Sequence, residues 1–534
     1  MSIKSFFLFI FAVTVTQFGQ SIFTPPEHEV YPFLERMSLS GIINYHDEVK
    51  PLSRVAISRL LEKILPQREK LNEVEKGQLS WFIQEFKNEM KSDSLGKERY
   101  FLYKYTDSLF TFRVSPIAKF DFQNTKSEML MKRSWGVNAY SSSGSAFSMQ
   151  INFTDNGEYG KYVDKSKNFT HETGRAMIAA PNGIEYSDVR GALTLDWGWG
   201  NASIQKDYVN WGHGQFGQLI LSSKTPSFPM IRLELKPTDW LRFYYIHGWL
   251  NSLFVDSIGY YYRTSPIYQS DRQKFVKKYF VANLLSFTPV DWLDVSLGNS
   301  LVYKGDLRAE MFIPFMFFKY LDRDTGHGSI EDGNGALFSD FSVKYFTNYH
   351  LYASFFLDVT EIRNILKNDW HNTWMGMTFG IKRINFFLQN LDVTTEYTRI
   401  NPWVYEHKDS TTTYKHLDYT LGHWIGQNAD QIRIQFDYRF LSQLSIKMWF
   451  ESLRKGGLDN ISLAYKTDIS EPFLYGSRRN ETNIGLEVSY EYLHDLFGKV
   501  YYQYSNVTDE DKTRTPAWEL GVNHSVGVSV QYGI

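Results

Sequence analysis

The 534-residue chain sets 57 Lys plus Arg against 59 Asp plus Glu, a net charge of −2; a general nucleic-acid binder would be basic, so that class is set aside. The absence of Cys removes disulfides, thiolate metal sites, a Cys nucleophile and a lipoprotein anchor together. A mean hydropathy of −0.36 excludes a polytopic helical membrane protein, yet 41 Phe, 35 Tyr and 14 Trp, 17% of all residues, need a reason.

Residues 1–21 read as a secretory signal. Lys4 supplies the positive start, Phe6 to Val15 the apolar run, and Gly19 with Ser21 a small-x-small cleavage site. The run is too short to span a bilayer. Export without Cys points to a bacterial envelope.

Residues 22–105 form a small helical head that parity, below, places in the periplasm. Val30, Phe33, Leu34 and Met37 have helical spacing, with Gly41 as a stop. Ser53 can cap a second helix carrying Ala56, Ile57, Leu60, Leu61 and Ile64, which Pro66 ends. Asn72 and Glu75 resemble a capping box ahead of a third helix presenting Leu79, Phe82, Ile83, Phe86 and Met90. These stripes are core packing first and a partner groove second.

Over 106–534 the period falls from 3.6 to 2. In Ile432 to Phe440 every even residue is apolar and every odd one polar. Ile484, Leu486, Val488, Tyr490 and Tyr492 alternate with Gly485, Glu487, Ser489 and Glu491. Such segments are strands with one apolar and one polar face. Short joints (142–145, 237–239, 288–291, 347–349, 383–385, 441–443) alternate with long polar stretches (155–188, 209–228, 251–276, 303–336, 361–373, 399–429, 454–481, 507–515). An outer-membrane barrel has short periplasmic turns and long external loops. Eighteen strand starts follow, near 113, 135, 146, 189, 200, 229, 240, 277, 292, 337, 350, 374, 386, 430, 444, 482, 499 and 523. The even count puts head and C-terminus on the periplasmic side. The fold class is an all-β membrane protein, an 18-stranded antiparallel barrel of a Gram-negative outer membrane.

The aromatic content then has a cause, because Tyr and Trp gather at the water–lipid boundaries. Trp240 and Trp292 each follow a turn in Pro-x-Asp-Trp-Leu, which suits the periplasmic rim. Lipid is the partner of the outer wall. The alternating end, Ser525 to Ile534, suits the barrel-insertion machinery. Arg232, Glu234, Lys236, Arg433, Asp437, Arg439, Glu487 and Glu491 face the lumen, where both signs can cross-pair and plug it.

No catalytic signature stands out, and no metal or other cofactor is expected. His171-Glu172 reads as a solvated loop. The Gly-rich loop 322–335, with Asp322, Asp324, Glu331 and Asp332, lacks EF-hand spacing. Two stretches are unusual: Asn210-Trp211-Gly212-His213-Gly214-Gln215 and Gly422-His423-Trp424-Ile425-Gly426-Gln427-Asn428. Both set Trp beside His in a Gly frame at the external end. Asn210, Trp211, His213, Gln215, His423, Trp424, Gln427 and Asn428 are glycan-binding candidates, since an indole and amides suit a sugar's weakly apolar face and its hydroxyls. The competing reading gives Gly to turns and Trp to plug core.

These residues also carry a resemblance. Asn210-Trp211-Gly212, Leu219 to Ser222 and Pro226-Ser227-Phe228-Pro229 resemble the capsule-assembly Wzi family. Leu421-Gly422-His423 with Gly426 and Asp430 is similar to its second recurring segment, and Tyr31 to Leu34 with Lys50 to Arg54 resembles its helical part. The resemblance implies an eighteen-stranded barrel with a periplasmic helical bundle. It also implies a non-enzymatic, lectin-like role in holding capsular or exopolysaccharide at the cell surface. The alternative is a porin-like diffusion channel for small solutes or oligosaccharides, with an enzyme in the barrel third.

Overall fold

The computed structural model describes residues 22–90, 98–143, 146–176, 178–256, 274–321, 333–358, 374–457, 461 and 471–533. The expected signal, 1–21, and most of loop 322–335 lie outside them.

The head contains three helices, α1 (Val30–Leu39), α2 (Arg54–Ile64) and α3 (Glu73–Glu85). Gly41, at φ 72°, turns the chain after α1. The Ser53 hydroxyl accepts from Ala56 N–H at the start of α2, and the Asn72–Glu75 capping box closes in both directions at α3. Pro66 does not stop the chain dead; it opens a 3-10 turn, Leu65–Lys70. Val30, Leu34, Met37, Leu61, Leu79 and Phe82 meet in one apolar core.

The body is a closed antiparallel barrel of eighteen strands. In chain order they are β1 (Phe110–Thr125), β2 (Glu128–Ser143), β3 (Phe147–Tyr159), β4 (Gly183–Asp196), β5 (Gly200–Asp207) and β6 (Phe228–Thr238). Then come β7 (Leu241–Val255), β8 (Phe275–Val290), β9 (Leu293–Lys304), β10 (Asn334–Val343), β11 (Tyr349–Leu357) and β12 (Met375–Arg383). The last are β13 (Leu391–Ile400), β14 (Ala429–Arg439), β15 (Leu444–Lys455), β16 (Arg479–Leu493), β17 (Leu496–Asp509) and β18 (Gly521–Tyr532). Closure pairs Tyr532 with Ala118 and Ser525 with Thr125. Closure leaves no edge, so the backbone is satisfied within the sheet. The barrel is a multi-pass protein of the outer membrane.

Alternation is kept around the wall. Phe450, Ile484, Val500 and Val528 point outward and stand 40–54% exposed, the lipid-facing belt. Trp240 and Trp292 stand exposed at the β6–β7 and β8–β9 turns. Lumen charges cross-pair as expected: Arg232 with Glu234 at 3.2 Å and Arg433 with Glu451 at 3.1 Å.

The head sits in the periplasmic mouth. Arg36 bonds Asp392 and Asn390 beside the β12–β13 turn, Arg99 meets Asp495 at 2.5 Å, and Asn348 N–H donates to the Leu39 carbonyl at 2.9 Å. Glu35 pairs with Lys382 at 2.6 Å and with His350 at 3.1 Å.

Two expectations need correcting. The loop alternation has an exception, because β1 and β2 join externally through only Lys126 and Ser127, both at positive φ. The stretch 303–336 is not simply polar; within its described part, Met311 to Phe318 is apolar throughout and packs on the outer wall.

Candidate functional site: a cavity in the barrel lumen

Two external loops turn inward. Residues 208–227 join β5 to β6, and 401–428 join β13 to β14. Val49 and Lys50 of the head rise to meet the first, pairing antiparallel with Trp211 and Asn210. Gly212, at φ 107°, then bends the chain and donates its N–H to the Glu48 carbonyl at 2.8 Å. The second loop grips the first: Tyr405 and Tyr414 hydroxyls donate to the carbonyls of Leu219 and Ile220 at 2.7 and 2.6 Å. These residues join inward Tyr244, Ile246, Phe280 and Phe338 in a single apolar core that fills one half of the lumen.

The other half, walled by β14 to β17, keeps a cavity of about 620 Å³. Arg433, Trp449, Glu451, Asn483 and Gln503 come from the strands, Phe216 and Trp424 from the two plug loops. Phe169 and His171 descend from the β3–β4 loop, and Glu27 and Glu35 of the head close the floor. Glu451 is the hub. It accepts from Gln431 at 2.6 Å, Arg433 at 3.1 Å and Asn483 at 3.1 Å, and its other neighbour is His171 at 3.0 Å. The Arg433 guanidinium stacks over Phe216 at 4.6 Å and lies 5.5 Å from Trp449. Gly485, directly opposite Trp449, has no Cβ because one would stand 2.0 Å from the indole. Trp449 therefore lies flat across the neighbouring strand. Aromatic faces thus alternate with hydrogen-bonding groups that are already held in place.

His171-Glu172 is only in part the solvated loop expected: the two side chains stay 40% and 39% exposed, but both are tied down. Glu172 bonds Lys132 and Lys167 (the latter at 2.6 Å), and His171 lies 4.2 Å from Trp424. Burial raises the Glu172 carboxyl, but Lys132 and Lys167 outweigh it and hold the group well below the usual carboxylate range. Lys224 pins the same loop by donating to the carbonyls of Thr170 and Glu172 at 2.8 and 2.9 Å. Its burial lowers the ammonium to about 8.

The eight candidates divide. Asn210, Gln215 and Trp424 line the cavity, and the Trp424 indole N–H donates to the Phe216 carbonyl at 3.0 Å. Trp211 is fully buried, edge-on to Phe338 at 6.1 Å. His213 is clamped between Asp340 and Asp47, the latter 3.4 Å away. Burial opposes its charge, but the two carboxylates prevail and hold the imidazolium well above the histidine range. His423 is buried and neutral, pushed down to about 3 by desolvation. Gln427 accepts from Trp403 N–H at 2.6 Å, and Asn428 bonds the backbone of Gly457, Leu474 and Tyr475. Those five hold the plug together. Sequence reasoning missed Trp449, Glu451, Asn483 and Phe169, although alternation with outward Met448 and Phe450 already turns Trp449 inward.

Two smaller cavities adjoin the first. One of about 210 Å³ lies toward the external end and shares Phe169, Thr170, Glu481 and Gln503 with it. Another of about 150 Å³ lies toward the head and shares Gln215, Phe216 and Gln435.

Residues 151–518 match the family described as Capsule assembly protein Wzi. This chain belongs to that family. Among solved structures, one similar to the Wzi-family chain is Wzi of Escherichia coli, an outer-membrane protein involved in group 1 capsule assembly and a carbohydrate-binding β-barrel. The two share 12% identity at a TM-score of 0.56, over 97% of this chain and 100% of the other. Further matches are OprD of Pseudomonas aeruginosa (10% identity, TM-score 0.40, 79% of this chain and 94% of the other) and OccAB2 of Acinetobacter baumannii (7%, 0.43, 79% and 98%). No curated protein sequence matches the chain.

Proposed function

We propose that this Wzi-family barrel holds capsular or exopolysaccharide at the cell surface by lectin-like, non-enzymatic binding, and that the lumen cavity is where the glycan is gripped. The observation that supports this is the wall of Trp424, Trp449, Phe169 and Phe216 set around the Arg433–Glu451–Asn483 network. A sugar ring presents a weakly apolar face to an indole and hydroxyls to fixed amides, carboxylates and a guanidinium. Asn210, Gln215 and Trp424 are the original candidates best placed for direct contact. Each contact is weak, so retention rests on many barrels along one long polymer. Outer-membrane lipid and the barrel-insertion machinery are the further partners in this reading.

The test is Trp449→Ala, which removes a lumen-facing ring that no plug loop packs against in the apolar core. Cells carrying it should release part of their polysaccharide at normal barrel levels, and Trp424→Ala combined with Trp449→Ala should release more. Unchanged retention in the double variant, with the barrel present, removes the cavity from glycan binding. The string of three cavities favours a second reading, a diffusion channel. Steady single-channel conductance in planar bilayers would move that reading first.

A further inference from the structure

The wall formed by β7, β8 and β9 departs from the rest of the belt. Register places Tyr245, His247, Asn283, Val281, Asn299 and Tyr303 on its outer face, since their neighbours Tyr244, Ile246, Phe280 and Val302 point into the lumen core. Outward residues elsewhere stand open, as Ile484 does at 48% exposure. Here Val281, Leu301, Tyr303 and His247 are at 0%. Two asparagines and a histidine on a lipid face would carry a heavy desolvation cost if bare.

They are not bare. The external β9–β10 connection comes back down the outside of the barrel. Its segment Met311-Phe312-Ile313-Pro314-Phe315-Met316-Phe317-Phe318 holds no polar side chain. Met311 and Phe318 pack into the outer-face cluster of Phe243, Tyr245, Tyr279, Val281, Leu301 and Tyr303. The polar groups of the wall take up its backbone. Asn283 Nδ2 donates to the carbonyls of Pro314 and Met316, both at 2.8 Å. The Tyr245 hydroxyl donates to the Met311 carbonyl at 2.6 Å, and Asn299 accepts from Lys319 N–H at 3.3 Å while donating to Asn283 at 2.7 Å. Irregular backbone survives at membrane depth only where its polar groups are satisfied by protein.

We infer that residues 307–321 form a strap seated on the outer wall of β7–β9 within the membrane, and that its outward ridge is a binding surface for the acyl chains of outer-membrane lipid. Depth carries the first half. Phe315 stacks on Phe243 at 4.4 Å, and Phe243 is only three residues along from the rim residue Trp240. The strap tip therefore lies roughly 8 Å inside the periplasmic boundary, allowing for strand tilt. Chemistry carries the second half. Phe312, Ile313, Phe315 and Phe317 project 40–68% exposed from the strap, while charge stands on either side of them, at Asp306, Arg308 and Glu310 before and at Lys319 after, whose ammonium is taken up by the carbonyls of Gly335 and Asp358. An aromatic ridge at that depth, continuous with the bare belt, meets hydrocarbon.

The absence of native Cys makes the test direct. Phe315→Cys, carrying a nitroxide, is reconstituted in phosphatidylethanolamine–phosphatidylglycerol vesicles, beside labels at Ile484→Cys on the bare belt and Lys512→Cys in an external loop. The Phe315 label should collide with oxygen as the Ile484 label does and ignore a water-soluble nickel chelate. Accessibility matching the Lys512 label overturns the seating. Protection from both reagents means a second copy of the chain covers the ridge, which overturns the lipid assignment. Asn283→Leu, in a barrel whose heat-shift on gels is unchanged, should cost the Phe315 label its preference for oxygen; an unmoved label overturns the role of Asn283. Phe317→Cys repeats every arm if Phe315→Cys misfolds.

Discussion

Trp211→Ala separates packing from recognition at the centre of the plug. The indole is fully buried where the head strand Val49–Lys50 meets the β5–β6 loop. A ring of that size withdraws roughly 200 Å² from water, which at about 25 cal/mol/Å² is about 5 kcal/mol. Alanine keeps a small part of that and leaves a void, so the loss should be about 3–5 kcal/mol. The assay is thermal unfolding in detergent, read by the gel shift of heated barrel, beside polysaccharide retained per cell. The variant should unfold well below wild type, and any polysaccharide loss should follow barrel loss in proportion. A variant of normal heat resistance that nonetheless sheds polysaccharide would refute the packing argument and return Trp211 to the glycan site.

On the lipid face, Phe436→Lys or Ile434→Lys should cost about 2–4 kcal/mol near mid-membrane. Gln435→Lys should be nearly silent in the same unfolding assay, because Gln435 lines the cavity. Equal effects would refute the register. Acid should release the head late. Burial raises the carboxyls of Glu29, Glu35, Asp47 and Glu85, but Lys447, Lys382, Lys344 and Arg99 respectively outweigh it and hold all four well below the usual range. Depressed carboxylates stabilise fully above about pH 4.3 and lose that contribution only as pH falls through their folded values. Near-UV circular dichroism should therefore stay native at pH 4.5 and change only in stronger acid; loss of signal between pH 5 and 6 would contradict these pairs. Tags inserted near Lys512 should be reachable on intact cells and tags at Asp239 should not. The reverse labelling would invert the barrel.

The barrel was legible because each wall strand carries its own period, and Ile432 to Phe440 reveals its two faces without reference to any other segment. The capping of α3 was equally local. The destination of Trp211 was not, since it depends on pairing with Val49 from a distant part of the chain, and nothing beside Trp211 says whether its loop points out or in. Trp449 was readable as inward but not as functional, because its meaning comes from Gly485 and Arg433 across two strands. The strap was hidden for another reason. Residues 311–318 are apolar at every position, so they carry no period, and their register comes from Asn283 and Tyr245 on other strands.

The two-residue turn at Lys126–Ser127 leaves the external ends of β1 and β2 without a loop of their own. Thr125 and Glu128, on either side of it, line the outer of the three cavities, and the flanking loops meet at the turn: Tyr162 stacks on Trp518 at 5.3 Å, and Lys126 Nζ donates to the Trp518 carbonyl at 2.9 Å. A longer turn would stand where those two loops meet. The shortness of this one is therefore what lets the β3–β4 and β17–β18 loops reach each other across the hairpin and close the outer cavity on that side.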